Sequence, residues 1–143
     1  MDAANQCAMP DRICLIVDDE PSIRTYLRAI LEAEQIQTLE ADGAAQALRV
    51  IHKLGGRIDV IVCDIKMPGD MDGIDLAFSV RQSFPAIPVI LISGYADLDA
   101  TKQAAAVFQF IRKPFVPEAI LAAVKHAVGS VGEIVPQGFL PEE

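Results

Sequence analysis

Residues 12–24 read R-I-C-L-I-V-D-D-E-P-S-I-R, and this stretch decides the fold. Five apolar residues, Ile13–Val17, run without a polar interruption and stop at the acidic pair Asp18-Asp19. A short continuous apolar run suits a strand buried on both faces, as in a parallel sheet. Pro21 then suits the first turn of a helix, where its missing N–H costs nothing. Ile23, Leu27, Ile30 and Leu31 fall on one face of that helix. The unit is therefore a strand, an acidic turn and an amphipathic crossover helix.

The same unit recurs. Apolar runs at Gln37–Ala41 (the weakest), 58–63, 88–92 and 108–111 start 20 to 30 residues apart. Each interval holds one strand and one helix. The helical stretches are 43–54, ending at Gly55-Gly56, then 74–83, 97–106 and 117–128. Five such units give an α/β domain with a mostly parallel sheet and helices on both faces. Residues 12–128 form this domain, residues 1–11 an N-terminal extension, and residues 129–143 a C-terminal tail expected to be mobile.

Composition narrows the function. The chain has 143 residues, 52% of them hydrophobic, enough for one domain with its own core. No apolar run approaches a membrane span, and no signal peptide is legible, so a cytoplasmic protein is expected. The net charge of −8 argues against direct binding to nucleic acid. Cys14 and Cys63 sit within apolar runs and read as small core residues. His52 and His126 lie in helical stretches and read as surface or helix-end residues.

Parallel strands all end on one edge, where ligand chemistry collects. Here that edge receives Asp18 and Asp19 after strand 1, Asp64 after strand 3, Ser93 after strand 4 and Lys113 after strand 5. With strands 1 and 3 as neighbours, about 4.8 Å apart, three carboxylates converge and need a counter-charge. Oxygen donors alone suit a hard divalent cation, Mg²⁺ above all. With the cation and Lys113 the local charge balances. A carboxylate so placed suits phosphoryl transfer: Asp64 as nucleophile, Lys113 pairing with a phosphoryl oxygen, Ser93 hydrogen-bonding another.

These residues sit in four segments, ICLIVDDEPSIR, IDVIVCDIKMPGDMDG, PVILISGYA and FIRKPF. Together, in this order, they resemble the receiver domain of two-component response regulators, the CheY-like phosphoacceptor family, over residues 12–128. The resemblance implies a flavodoxin-like doubly wound sheet of five strands in the order 2-1-3-4-5 with five helices. It implies that Asp64 is phosphorylated by a histidine kinase or phosphotransfer protein. Asp18, Asp19 and Asp64 would hold Mg²⁺ together with the main-chain carbonyl of Lys66. Ser93 and Phe110 would form a switch that reshapes the surface of helix 4, strand 5 and helix 5 for a downstream protein. Lys66 and Tyr95 stand where the family tunes phosphoryl lifetime, and neither side chain readily positions a water for attack, so slow self-dephosphorylation is expected. A cis peptide bond before Pro114 is a further expectation.

The sequence departs from the family pattern in places. Two residues, Gly69 and Asp70, separate Pro68 from Met71-Asp72-Gly73 where one is usual. Ser93 stands in place of the commoner Thr, Phe110 has no hydroxyl, and Ala106 stands where many relatives have Gly. Arg24 and Arg28 on the first helix mark a candidate kinase-facing surface. A free-standing monomer or weak dimer is expected. Rivals are a receiver cut from a hybrid histidine kinase, a phosphate sink and, from another class, a Mg²⁺-dependent phosphohydrolase with an aspartate nucleophile. The last lacks its usual D-x-D pair, because Ile65-Lys66 follow Asp64. A flavin-binding protein fits less well, since Asp18-Asp19-Glu20 would repel a flavin phosphate.

Overall fold

The computed structural model describes residues 12–94, 104–105 and 107–129. Five strands, β1 (Ile13–Val17), β2 (Gln37–Ala41), β3 (Val60–Asp64), β4 (Val89–Ser93) and β5 (Gln109–Arg112), pair in the order β2-β1-β3-β4-β5. All four pairings are parallel. This is the doubly wound, flavodoxin-like arrangement that the family resemblance implies, on the α/β alternation read from the strands and helices. Four α-helices lie among the described residues: α1 (Pro21–Glu32), α2 (Ala44–Leu54), α3 (Gly73–Ser83) and α4 (Pro117–Gly129). The helix expected over 97–106 lies outside the described residues, apart from Ala104 and Ala105, as do the extension at 1–11 and the tail beyond Gly129.

Period-two alternation along the strands sorts the core into two layers. Leu15, Val17, Ile61, Cys63 and Leu91 point into one layer, closed by Ala47 and Ile51 of α2 and by Leu76, Ala77 and Val80 of α3. Cys14, Ile16, Val60, Val62, Ile90 and Ile92 point into the other, closed by Leu27 and Leu31 of α1 and by Ile120 and Val124 of α4. Burying one such Leu, Ile or Val contributes about 1.5–3 kcal/mol. That is why β1, β3 and β4 carry no polar residue before their last position. Cys14 and Cys63 are both wholly buried, as small core residues should be.

The helix ends follow local chemistry. Pro21 sits in the first turn of α1. Asp72 caps α3 by accepting from the Asp75 amide, while the Asp75 side chain accepts from the Asp72 amide. The longer loop before α3 holds Gly69 at φ 102°, a left-handed conformation that glycine adopts without strain. The additional loop position is thus absorbed where a side chain would be disfavoured. The peptide bond between Lys113 and Pro114 is cis.

Candidate functional site: an acidic edge with one lysine

Register puts the acidic residues side by side. Val17 pairs with Cys63 across β1 and β3, so Asp18 and Asp64 emerge together at the carboxyl edge of the sheet. Carboxylate oxygens of Asp18, Asp19 and Asp64 all lie within 4.8 Å of one another. Asp18 and Asp64 are 2% and 5% exposed, whereas Asp19 faces solvent. The two buried aspartates are thus fixed, and Asp19 closes the site from outside.

Asp18 is held at several points. Its amide donates to the carbonyl of Ala41 at 3.1 Å. Its Oδ1 accepts from the Glu20 amide at 2.9 Å. Its Oδ2 is buried and has no hydrogen-bond partner. Burial pushes its pKa up to about 6; the Glu20 hydrogen bond opposes this, and the neighbouring charge of Asp64 adds to it. Asp18 does not cap α1: the N-cap position is Glu20, which makes no side-chain cap. A buried carboxylate with an unpaired oxygen and two further carboxylates close by is costly unless a cation completes it. Three oxygen donors and no softer ligand fit a hard divalent ion.

Lys113 supplies the fixed positive charge. Its Nζ lies 3.0 Å from Asp64 Oδ1. Its amide donates to the Ser93 carbonyl at 2.8 Å, which ties the residue after β5 to the end of β4. Burial works against its charge, but the hydrogen bond and charge of Asp64, with Asp18 and Glu20 behind, prevail and hold the ammonium above the usual lysine range. Ser93 is 5% exposed and ends β4, one position beyond the pairing of Ile92 with Asp64. Asp18, Asp19, Asp64, Ser93 and Lys113 thus share one edge.

The other anticipated residues fall differently. Phe110 pairs across from Leu91 and packs half-buried against the layer that contains Cys63 and Leu91. Lys66 is exposed on the loop after β3. Tyr95 and Ala106 lie outside the described residues. His52 is exposed and sets its ring edge-on to Phe84 at 5.7 Å.

Two features escaped the sequence. Gly73, the first residue of α3, packs on the main chain of Asp64, and its amide donates to the Ile65 carbonyl at 2.8 Å. Arg24 turns back toward the acidic turn and donates to the carbonyl of Asp18 at 2.6 Å. Its side chain is only 16% exposed, whereas that of Arg28 is 55% exposed. Both contacts join residues whose side-chain types and spacing carry no local signal.

The chain is similar to known proteins in sequence and in fold. The chain is 36% identical over 121 residues to the hydrogenase transcriptional regulatory protein HoxA of Cupriavidus necator, covering 82% of this chain and 24% of that protein. It is 36% identical over 114 residues to the sensor kinase CckA of Brucella abortus, covering 78% of this chain and 12% of that one. The chain therefore spans a quarter or less of these curated relatives. A solved response regulator receiver domain protein from Clostridium thermocellum superposes with a TM-score of 0.80 at 28% identity, covering 85% of this chain and 97% of that one. The receiver domain of NtrX from Brucella abortus gives 0.75 at 29% identity, covering 82% and 98%. The family described as the response regulator receiver domain matches residues 14–125, and the chain belongs to it.

Proposed function

We propose that residues 12–128 form a receiver unit that accepts a phosphoryl group on Asp64 from a histidine kinase or phosphotransfer protein. One observation carries this reading: the Asp64 carboxylate lies between Lys113 Nζ at 3.0 Å and the acidic pair Asp18-Asp19, whose buried oxygen Asp18 Oδ2 lacks a partner. In the transfer, an Asp64 oxygen donates an electron pair to phosphorus. The bond from phosphorus to the donor imidazole nitrogen breaks, and its electrons stay on nitrogen. The product is an acyl phosphate. Lys113 shifts its pairing from Asp64 Oδ1 to a phosphoryl oxygen, and the Ser93 hydroxyl donates to another. Asp18, Asp19, Asp64 and the Lys66 carbonyl are the residues that would hold Mg²⁺, which when bound neutralises charge developing on the phosphoryl oxygens.

The unit is a phosphoacceptor and not a turnover enzyme. Ser93 and Phe110 would pass the change to the face formed by the helix expected over 97–106, β5 and α4, for a downstream protein. Among the described residues no helix is long and apolar enough to cross a membrane. The reading carries a cytoplasmic location, because phosphohistidine donors are made with ATP, and a monomeric or weakly dimeric state. The relatives place such units within longer regulators and sensor kinases, so a receiver within a longer chain is the second reading.

The test is incubation with MgCl₂ and a small acyl phosphate, followed by intact mass. One added phosphoryl group is expected, absent in Asp64→Ala. Incorporation that persists in Asp64→Ala refutes the assignment. Lys66 and Tyr95 add a second expectation, since neither readily orients a water toward the acyl phosphate. Phosphate should leave the isolated protein over minutes or longer with MgCl₂ present, and a half-life of seconds would contradict this.

A further inference from the structure

We infer that Arg24 is a positioning residue for the acidic turn, acting through the Asp18 carbonyl with Glu40 as its brace. This rests on the phosphoacceptor reading and adds to it a residue outside the metal and phosphoryl contacts. Arg24 Nε donates to Glu40 Oε1 at 2.9 Å, and a terminal nitrogen donates to the Asp18 carbonyl at 2.6 Å. The carbonyl belongs to the peptide plane that leads into Asp19. The amide of Asp18 is already fixed to Ala41 at the end of β2. Arg24 therefore locks the second peptide plane of the turn, and with it the direction in which the exposed Asp19 carboxylate leaves the chain.

The brace is well placed. Glu40 stands on β2 directly opposite Ile16 of β1. Its second oxygen accepts from Arg28 at 3.4 Å, and Arg28 also pairs with Glu32 at 3.1 Å. The two arginines and two glutamates balance in charge, so the group adds little net field to the aspartates. Its contribution is geometric: a planar guanidinium satisfies a carboxylate and a carbonyl at once, which an ammonium cannot copy. Residues that orient metal ligands from behind typically influence metal affinity by about 10–100-fold.

The experiment is a titration of the full chain with MgCl₂, followed by amide NMR, for the parent, Arg24→Gln, Arg24→Lys and Arg28→Gln. Arg28→Gln removes the same charge without touching the acidic turn. Arg24→Gln should weaken Mg²⁺ binding about tenfold or more, Arg24→Lys should recover only part of it, and Arg28→Gln should stay within about twofold of the parent. The small acyl phosphate should then phosphorylate Arg24→Gln slowly at low MgCl₂ and near the parent rate at saturation. Equal Mg²⁺ affinity in Arg24→Gln and parent overturns the inference, including where its melting temperature falls or kinase-driven transfer is lost. Equal weakening in Arg28→Gln overturns it too, because the effect is then charge alone. A parent that shows no Mg²⁺ response fails the phosphoacceptor reading itself, and this inference falls with it.

Discussion

Asp18→Asn should raise the stability of the metal-free protein while removing its response to magnesium. The two effects have one cause. In chelator-containing buffer at neutral pH, Asp18 is a buried carboxylate with an unpartnered Oδ2 and two further carboxylates close by. An amide at this position keeps an oxygen to accept from the Glu20 amide and places an N–H group toward the neighbouring carboxylates. The main cost removed is that of holding a charge out of water, and the repulsion from Asp64 goes with it. The gain should be on the order of 1–3 kcal/mol, as set by a pKa moved from 3.8 to about 6. Urea unfolding with and without MgCl₂ reads both effects: the parent gains stability with the ion, and Asp18→Asn starts higher and gains little. A variant that is destabilised without metal would show that Asp18 serves the fold and not the site.

The pH dependence has a definite sign. The folded pKa of Asp18 lies above the unfolded value, so this group's favourable contribution is fully present below about pH 3.8 and is lost as pH rises through about 6. In metal-free buffer, its contribution to stability should therefore grow as pH falls from 7 toward 4. Asp18→Asn should lack that component, and the difference between the two proteins should shrink across the same window. Saturating MgCl₂ should suppress the parent's component, because the ion competes with the proton for the same oxygens.

The site was legible in the sequence to an unequal degree, for reasons that lie in distance along the chain. Asp18, Asp64, Ser93 and Lys113 could be placed because a parallel sheet delivers each strand end to one edge, so knowing the strand is enough. The pairing of Val17 with Cys63 then does the rest. The two-layer core follows from uninterrupted apolar runs that only a sheet covered on both faces can bury. Arg24 was different. On a helix it reads as one of two surface cations, and nothing local says that Glu40, sixteen residues away on another strand, will draw it inward. The reading of Arg24 and Arg28 as one kinase-facing pair therefore splits: Arg28 is largely exposed and Arg24 is committed to the acidic turn. Gly73 was legible as part of a motif but not in its purpose, since close approach to a backbone is visible only in three dimensions.

Gly73→Ala should damage fold and site together. A Cβ built on Gly73 overlaps the carbonyl oxygen of Asp64 and lies 2.8 Å from Ile65 Cα and 2.9 Å from the Asp64 carbonyl carbon. These are backbone atoms at the end of a buried central strand, so no flexible side chain can yield. Either α3 lifts away, losing the Gly73 amide bond to Ile65 and the packing of Leu76, Ala77 and Val80, or the chain at Asp64 moves. Overpacking of this kind costs about 1–3 kcal/mol, and more where only backbone can give. We expect a loss of about 3 kcal/mol or more in urea unfolding. Phosphorylation by the acyl phosphate should also slow at saturating MgCl₂, because displacement of the Asp64 carbonyl redirects its carboxylate from Lys113. Gly43→Ala is the matched comparison, since a Cβ there meets nothing within 4 Å. It should leave the phosphorylation rate near that of the parent. If Gly73→Ala folds with parent stability and phosphorylates at the parent rate, the tight seating of α3 on the phosphoacceptor strand is not what orients Asp64.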